Sequence, residues 1–301
     1  MENIKEIKDR IDSIRDTKKI TNAMYLIASI KLKKAKSELD KTRPYFAMLQ
    51  SEIKRLFRIA SDVESKYFYP LNAKEKASGV HGILVITADK GLAGTYNQNI
   101  LKYSLNMLSD YPNSKLFVVG EYGRQFFMQH HIPIEQSFLY TAQNPTLHRA
   151  REICLRLLSL YDSEELDKIY IVYTDLSGSQ TEEVRMTRLL PFHRSDFASN
   201  EVIDEKFEYE PSVAAVLNHI IRSYVTGFVY SALVDSYCSE QNARMSAMNA
   251  ANQNAEEILS VLSHEYNRVR QTMITQEITE VTSGAKAMKK KVSQKWQQEK
   301  S

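Results

Sequence analysis

Apolar residues recur with helical spacing at both ends of the chain, whereas the middle carries the patterns of strands and turns. The N-terminal segment repeats apolar positions in alternating steps of three and four residues, which is the inward-facing pattern of a coiled coil. Only Lys18 and Thr21 interrupt this pattern, and Pro44 predicts a kink or a break further on. The apolar positions are Ile4, Ile7, Ile11, Ile14, Tyr25, Ala28, Leu32, Ala35 and Leu39.

A second helical segment begins after Pro211 and Ser212, a pair typical of a helix start. Its later part keeps a heptad pattern in which only Asn252 is polar. The apolar heptad positions are Met245, Met248, Ala255, Leu259, Leu262, Tyr266, Val269 and Met273. Two distant helical segments bury such stripes most simply against each other. The pattern therefore predicts a long antiparallel coiled coil formed by residues 1–60 and 208–301.

The middle of the chain, residues 75–200, predicts a Rossmann-like α/β domain. Short apolar runs at 83–86, 115–120 and 169–173 predict buried strands, and the alternating run at 184–190 predicts an edge strand. Helical patterns separate these runs, which favours a parallel or mixed sheet. The fold class is thus an α/β domain combined with a long α-helical coiled coil.

Charge adds an asymmetry that the net value of +3 conceals. Residues 1–60 hold 15 Lys/Arg against 8 Asp/Glu, and residues 281–301 hold six lysines against Glu299. Antiparallel pairing would place both basic segments at the same end of the coiled coil. A basic end suits an acidic protein surface, an anionic membrane or nucleic acid. Nucleic acid is disfavoured because the lysines are not interleaved with aromatic residues.

The loop Gly91-Leu92-Ala93-Gly94 is the strongest candidate for ligand chemistry, because it follows a predicted strand and opens a predicted helix. It lacks a third glycine and the lysine and serine of a phosphate-binding loop. We therefore expect a tight turn that Asp89 and Lys90 cap and solvate. Histidines and cysteines show no metal-ligand spacing, so no catalytic, metal or cofactor site is predicted. A nucleotide-binding enzyme with a coiled-coil dimerisation arm remains the alternative.

Several blocks of the sequence are similar to one known family, the gamma subunits of F-type ATP synthases. The Asp89–Gly94 loop resembles a weaker family motif, which commonly reads Gly-Leu-Cys-Gly where this chain has Gly-Leu-Ala-Gly. The resemblance covers nearly the whole chain and is most specific near its ends. The stronger blocks are Ile4–Ala35 with Lys18–Met24 at its centre, Ser239–Met245, Tyr266–Gln271 and Ile274–Lys286.

The resemblance implies a rotary shaft. In this family the two helical arms lie in the hollow of a hexamer of three alpha and three beta subunits. The α/β domain forms a foot with the epsilon subunit on the ring of c subunits, which proton flow turns. Such a subunit transmits torque, catalyses nothing by itself and holds no nucleotide. The resemblance also implies a peripheral location on the cytoplasmic face of the bacterial inner membrane, where the subunit is held through the Fo sector.

The resemblance also implies roles for individual residues. Arg270 and Gln271 offer directional donors that can latch a carboxylate or a carbonyl in one angular state of the shaft. The positions matching the family's coupling and beta-contact residues are Met24, Arg244, Arg270, Gln271, Thr275 and Glu277. The positions matching the foot near the c-ring and epsilon are Phe207, Tyr209 and Glu210.

Overall fold

The computed structural model describes residues 4–59, 65–69, 79–139, 142–175, 183–197 and 209–298. These residues form two compact units: the helical unit, Met1–Met24 with Met248–Ser301, and the α/β unit, Tyr25–Ala247. The elements in chain order are α1 (Ile4–Ile59), β1 (His81–Ile86), α2 (Tyr96–Asp110), β2 (Ser114–Val119), α3 (Glu121–Gln129), β3 (Gln136–Phe138), α4 (Leu147–Asp162), β4 (Lys168–Asp175), β5 (Glu183–Leu190), a 3-10 helix (Arg194–Phe197) and α5 (Val213–Gln298).

The α/β unit is built on one five-stranded sheet with the strand order β3-β2-β1-β4-β5. The first four strands run parallel, and β5 pairs antiparallel with β4 at the edge. Strand β1 is buried along its whole length, as expected for a parallel strand covered on both faces. Its Ile83 and Val85 pack in the core on one face, whereas Leu84 and Ile86 join the larger core on the other.

The predicted fold class is confirmed. All four predicted strands form, and the alternating run at 184–190 is the edge strand. Strand β3 was not predicted, because three half-buried residues carry no periodicity that can be read. Helix α1 continues through Pro44, so the predicted break does not occur. Leu39 and Phe46, on either side of this proline, both pack against the larger core, which holds the helix in place across it.

Within the α/β unit, α1 and α5 approach closely at Gly227. A Cβ atom at this position would lie 2.0 Å from the Phe46 ring. The Phe46 ring also lies 6.3 Å, between centroids, from the ring of Tyr230. The glycine that weakens α5 locally is therefore the residue that admits an aromatic side chain between the helices.

Replacing Gly227 with alanine should destabilise the α/β unit despite the higher helix propensity of alanine. The new methyl group overlaps Phe46, and overpacking of this kind costs about 1–3 kcal/mol. Gly284→Ala is the matched control, because no atom lies within 4 Å of a Cβ there. Thermal unfolding of both variants measures the difference. A melting temperature of Gly227→Ala at or above that of the wild type would contradict the close packing.

The helical unit is an antiparallel pair of helical segments from α1 and α5. Ile7 and Ile11 of α1 form the buried cluster of this unit together with Leu262 of α5. Ile14, Leu259, Tyr266 and Val269 complete this cluster at its margin. Lys18 pairs with Glu256 and Thr21 pairs with Asn252, so the two segments run in opposite directions and the predicted antiparallel pairing is confirmed in this unit.

Thr21 and Asn252, which interrupt the two apolar patterns, face one another in the helical unit, and Lys18, the third interruption, pairs with the exposed Glu256. Thr21 Oγ1 lies 2.5 Å from Asn252 Oδ1, and Lys18 Nζ lies 2.6 Å from Glu256 Oε1. We call these four residues the polar layer. A polar pair at an inward position costs stability but specifies the register of a coiled coil, because a slipped register would leave its groups unpaired.

Replacing the central pair of the polar layer by apolar residues should stabilise the helical unit. For Thr21→Val combined with Asn252→Leu, we expect a gain of about 1 kcal/mol in the free energy of unfolding, because a polar residue at an inward coiled-coil position costs stability relative to an apolar one. We also expect the hydrogen-exchange rates of the amide protons of residues 4–24 to be spread more widely in this variant, because the register of the helix pair is no longer specified. Ser13→Val, at an exposed position, controls for added apolar surface. A lower unfolding temperature in the double variant would refute this role of the polar layer.

No helix in the described part of the chain is both long enough and apolar enough to cross a membrane.

Candidate functional site

The carboxyl ends of β1 and β4 form the place where folds of this type usually bind ligands. From β1 the chain moves to β2 on one side, and β4 pairs with β1 on the other side. Such a reversal of strand order opens a crevice above the sheet. The loop Asp89–Gly94 leaves β1 at this crevice. In this chain, helix α5 lies against the crevice and occupies the position of a ligand.

Helix α5 contacts β4 through two serines. The backbone N–H of Thr174, near the end of β4, donates to Ser236 Oγ at 3.3 Å. Ser239 Oγ donates to the carbonyl oxygen of Thr174, also at 3.3 Å. Both serines and the threonine are buried. The two hydrogen bonds therefore satisfy backbone groups that a ligand or water would otherwise have to reach.

The same face of α5 then contacts the loop after β1 through Arg244. Its Nη2 donates to the carbonyl oxygen of Gly91 at 3.0 Å and lies 3.5 Å from that of Lys90. Its Nη1 pairs with Glu240 Oε1 at 2.6 Å. Only 11% of the Arg244 side chain and 8% of the Glu240 side chain is exposed. Burial raises the pKa of Glu240, and the attraction of Arg244 opposes this rise.

The loop is held from its other side by hydrogen bonds to the sheet and its helices. Asp89 Oδ1 accepts from the N–H of Glu121 at 2.9 Å, at the start of α3, and Asp89 Oδ2 accepts from the N–H of Gln143 at 3.1 Å. The N–H of Ala88 donates to Asn97 Oδ1 at 3.0 Å. Asp89 was predicted to cap the turn of its own loop; in the structure its carboxylate caps the start of α3.

The orientation of the loop decides its chemistry. A phosphate-binding loop points several backbone N–H groups at an anion. Here two carbonyl oxygens point at a guanidinium group, and Gly94, with φ +53°, brings the backbone against α5. A Cβ atom at Gly94 would lie 3.9 Å from the Cβ of Ala247. The loop that resembles a ligand-binding motif therefore binds helix α5 of the same chain.

We call this set of contacts the α5 seat: Ser236, Ser239, Glu240 and Arg244 on α5, with Thr174 and the loop Asp89–Gly94 on the sheet. The sequence singled out Arg244 and the loop; it placed Ser239 and Glu240 in the block Ser239–Met245 without a role, and it missed Ser236. The spacing of three, one and four residues places all four residues of α5 on one face of the helix. Polar residues sharing a face of an otherwise buried helix segment were the available signal.

The predicted coupling residues divide between the two units. Arg244 belongs to the α5 seat in the α/β unit. Met24 is half-buried on α1 in the helical unit. Arg270, Gln271, Thr275 and Glu277 lie on the exposed end of α5.

Every side chain from Arg270 to Lys289 is exposed. This segment, the exposed end of α5, follows Val269, which packs at the margin of the buried cluster of the helical unit. Its apolar residues Ile274, Ile278 and Val281 are 44%, 60% and 73% exposed. Thr275 Oγ1 donates to the carbonyl oxygen of Gln271 at 2.8 Å, so this hydroxyl is engaged within the helix. Arg270 and Glu277 present their charged groups outward.

The predicted foot residues lie before α5. Tyr209 is half-buried and packs against the larger core of the α/β unit, whereas Glu210 is exposed. Phe207 lies outside the described residues. Among the residues that the structure describes, no group of three or more His, Cys, Asp or Glu side chains could hold a metal ion.

A half-buried carboxyl group, that of Asp235, lies on α5 directly before Ser236 of the α5 seat. Burial, reinforced by the nearby carboxylate of Asp175, raises the pKa of Asp235 to about 6. Arg43 and a hydrogen bond from Ser231 oppose this rise. Asp175 is itself paired with Arg185 at 2.7 Å. The folded protein therefore favours the protonated form of Asp235 relative to an unfolded chain.

Asp235→Asn should stabilise the protein at pH 8 and have little effect below about pH 4. A raised pKa stabilises the fold fully below the ordinary value of 3.8, and this contribution disappears as the pH rises through about 6. At pH 8 the ionised group costs at most about 3 kcal/mol, which the neutral amide avoids. Thermal unfolding between pH 4 and pH 8 measures this, with the exposed Asp110→Asn as control. A stability difference independent of pH would contradict it.

The fold and the α5 seat define a class of protein: a Rossmann-like module whose ligand crevice is filled by its own long helix, combined with an antiparallel helical pair.

A family model described as ATP synthase matches residues 3–288. The ATP synthase gamma chain of Ruminiclostridium cellulolyticum is 42% identical over 292 residues, covering 95% of this chain and 99% of the relative. That of Acetivibrio thermocellus is 40% identical over 297 residues, covering 96% and 100%. The chain belongs to the ATP synthase gamma-chain family.

Solved structures agree on the fold. The central stalk with c-ring of the Tetrahymena thermophila mitochondrial ATP synthase contains a chain with a TM-score of 0.61 and 24% identity. The likeness covers 77% of this chain and 99% of that chain. The alternative, a nucleotide-binding enzyme with a dimerisation arm, receives no support from any of these relatives.

Proposed function

We propose that this chain is the central rotary shaft of the F1 sector of an ATP synthase. It transmits torque between an ion-driven ring of c subunits and a catalytic hexamer of three alpha and three beta subunits. The chain contributes no catalytic group of its own. It binds to the cytoplasmic face of the bacterial inner membrane indirectly, through the Fo sector.

The observation that carries this proposal is the exposed end of α5. A helix that presents Ile274, Ile278 and Val281 to solvent leaves apolar surface that a partner must cover. Isolated helices are also marginally stable in water, so such a segment gains order from its surroundings. The hollow of the alpha–beta hexamer supplies both the cover and the surroundings. The family model described as ATP synthase extends over this segment up to residue 288.

Arg270, Gln271, Thr275 and Glu277 serve as contacts with the beta subunits in this proposal. All four are exposed, and Arg270 can donate a charge-assisted hydrogen bond that forms in one angular state and breaks in the next. Met24, on α1 of the helical unit, contributes a further contact near the hexamer. The basic segments attract acidic loops of the hexamer through charges that salt screens, which guides the shaft without locking it.

The α/β unit forms the foot of the shaft. Phe207, Tyr209 and Glu210 lie next to the c-ring and the epsilon subunit in this arrangement. The α5 seat supports the assignment, because a module whose ligand crevice is filled by its own helix is suited to carrying load rather than to binding a nucleotide. The foot requires no cofactor.

Purification of the tagged chain from its host under mild conditions tests the proposal. We expect the alpha, beta and epsilon subunits to copurify with ATPase activity, and the c-ring to be retained when membranes are solubilised gently. Recovery of the chain without alpha and beta subunits, or without ATPase activity, would refute the proposed function.

The proposed contact of Arg270 with the beta subunits can be tested more directly in the purified complex. Arg270→Gln should lower ATP-driven ion pumping roughly threefold to tenfold without loss of assembly, because a hydrogen bond to a charged group contributes about 1.5–3 kcal/mol and water replaces part of it. Arg156→Gln, which removes an exposed arginine paired with Glu135 at 3.5 Å in the α/β unit, is the matched control. Equal ion pumping by both variants would contradict the proposed hydrogen bond between Arg270 and a beta subunit.

A further inference from the structure

The α5 seat contains two kinds of contact that respond differently to a turning force. Ala88, Ala93, Tyr96 and Ala243 form a small buried apolar cluster where the loop meets α5. Apolar contacts of this kind are non-directional, so small side chains can slide past one another at little cost. The contacts of Arg244 with two carbonyl oxygens and with Glu240 are directional and charge-assisted, and they resist such sliding.

We propose that Arg244 and Glu240 are positioning residues that fasten the loop Asp89–Gly94 to α5, so that the sheet of the α/β unit and α5 turn together. The inference rests on the proposed function, and it assigns Arg244 a task inside the chain rather than at a partner subunit. Glu240 orients the guanidinium group and balances its charge. The loop follows directly on β1, and the carboxylate of Asp89 also ties it to α3 and to Gln143.

The chemistry of the joint requires an arginine. A guanidinium group is planar and presents donors in a fixed fork, so it can serve a carboxylate and backbone carbonyls at the same time. A lysine keeps the charge but has a single flexible donor centre. Little solvent reaches the pair, since 11% of Arg244 and 8% of Glu240 is exposed, which strengthens each hydrogen bond. Loss of either residue would leave the other buried without its ion-pair partner.

The test uses the complete ATP synthase in sealed vesicles, with ATP hydrolysis and ATP-driven ion pumping measured on the same preparation. In Arg244→Gln and in Glu240→Gln, we expect ions pumped per ATP to fall at least about threefold while hydrolysis stays within about twofold. Arg244→Lys should give an intermediate ratio, because it restores charge without the fork. Arg156→Gln, with its own glutamate partner at 3.5 Å, should match the wild type.

A covalent tie between the loop and α5 separates a positioning role from a contact with a partner subunit. The Cβ separation of 3.9 Å between positions 94 and 247 lies within the range of disulfides. Gly94→Cys and Ala247→Cys are therefore introduced together into Arg244→Gln and oxidised with copper phenanthroline. Cys154 and Cys238 do not compete, because burial raises the pKa of each thiol to about 12.

Oxidation should restore the pumping ratio of Arg244→Gln towards that of the wild type, and a reductant should abolish the recovery. The same cysteine pair in the wild-type background controls for strain at Gly94, which has φ +53°. If Arg244→Gln fails to assemble, recovery of assembly by the disulfide supports the proposal, and no recovery overturns it. A normal ratio in Arg244→Gln, or a low ratio that the disulfide leaves unchanged, also overturns it.

Failure of this inference is distinguishable from failure of the proposed function. If the chain is not a rotary shaft, the wild-type chain itself does not copurify with an ATPase that pumps ions. If only the positioning role is wrong, the wild-type complex pumps normally and the variants behave as described for an overturning result.

Discussion

The contact of α5 with the carboxyl ends of β1 and β4 is the constraint on which the rest of the α/β unit depends. A parallel sheet opens a crevice at this point, and its exposed backbone groups need partners. Ser236 and Ser239 bind the backbone of Thr174, and Arg244 binds the carbonyl of Gly91. A fold that elsewhere holds a ligand here holds a helix. The crevice is therefore covered by part of the chain itself.

Both long helices, α1 and α5, contribute residues to each of the two units. In the α/β unit their pairing includes aromatic packing around Gly227. In the helical unit it depends on an apolar cluster and on the polar layer, which sets the register. From Arg270 to Lys289, every side chain of α5 is exposed. The apolar residues there suit a helix that works inside a larger assembly.

Much of the fold could be read from the chain because its signals are local. The apolar runs at 83–86 and 169–173 are long enough to identify buried strands, and the stripes of α1 and α5 repeat over many turns. Strand β3 is too short for such a signal. Pro44 gave a local signal that tertiary packing overrode, because core contacts on both sides hold the helix. Part of the site was visible only as a motif, since the spacing of Glu240 and Arg244 does not reveal which backbone carbonyls Arg244 binds.

By itself, the sequence determined the class of fold, the antiparallel pairing of the ends and the family resemblance, because periodicity and motifs are properties of neighbouring residues. Only the tertiary structure decided what the exceptions to those patterns do. Thr21 and Asn252 looked like separate interruptions until packing brought them together. The glycine loop looked like a weak phosphate site until its carbonyls were found facing Arg244. Partners so distant in the chain meet through the packing of whole elements, which no local pattern encodes.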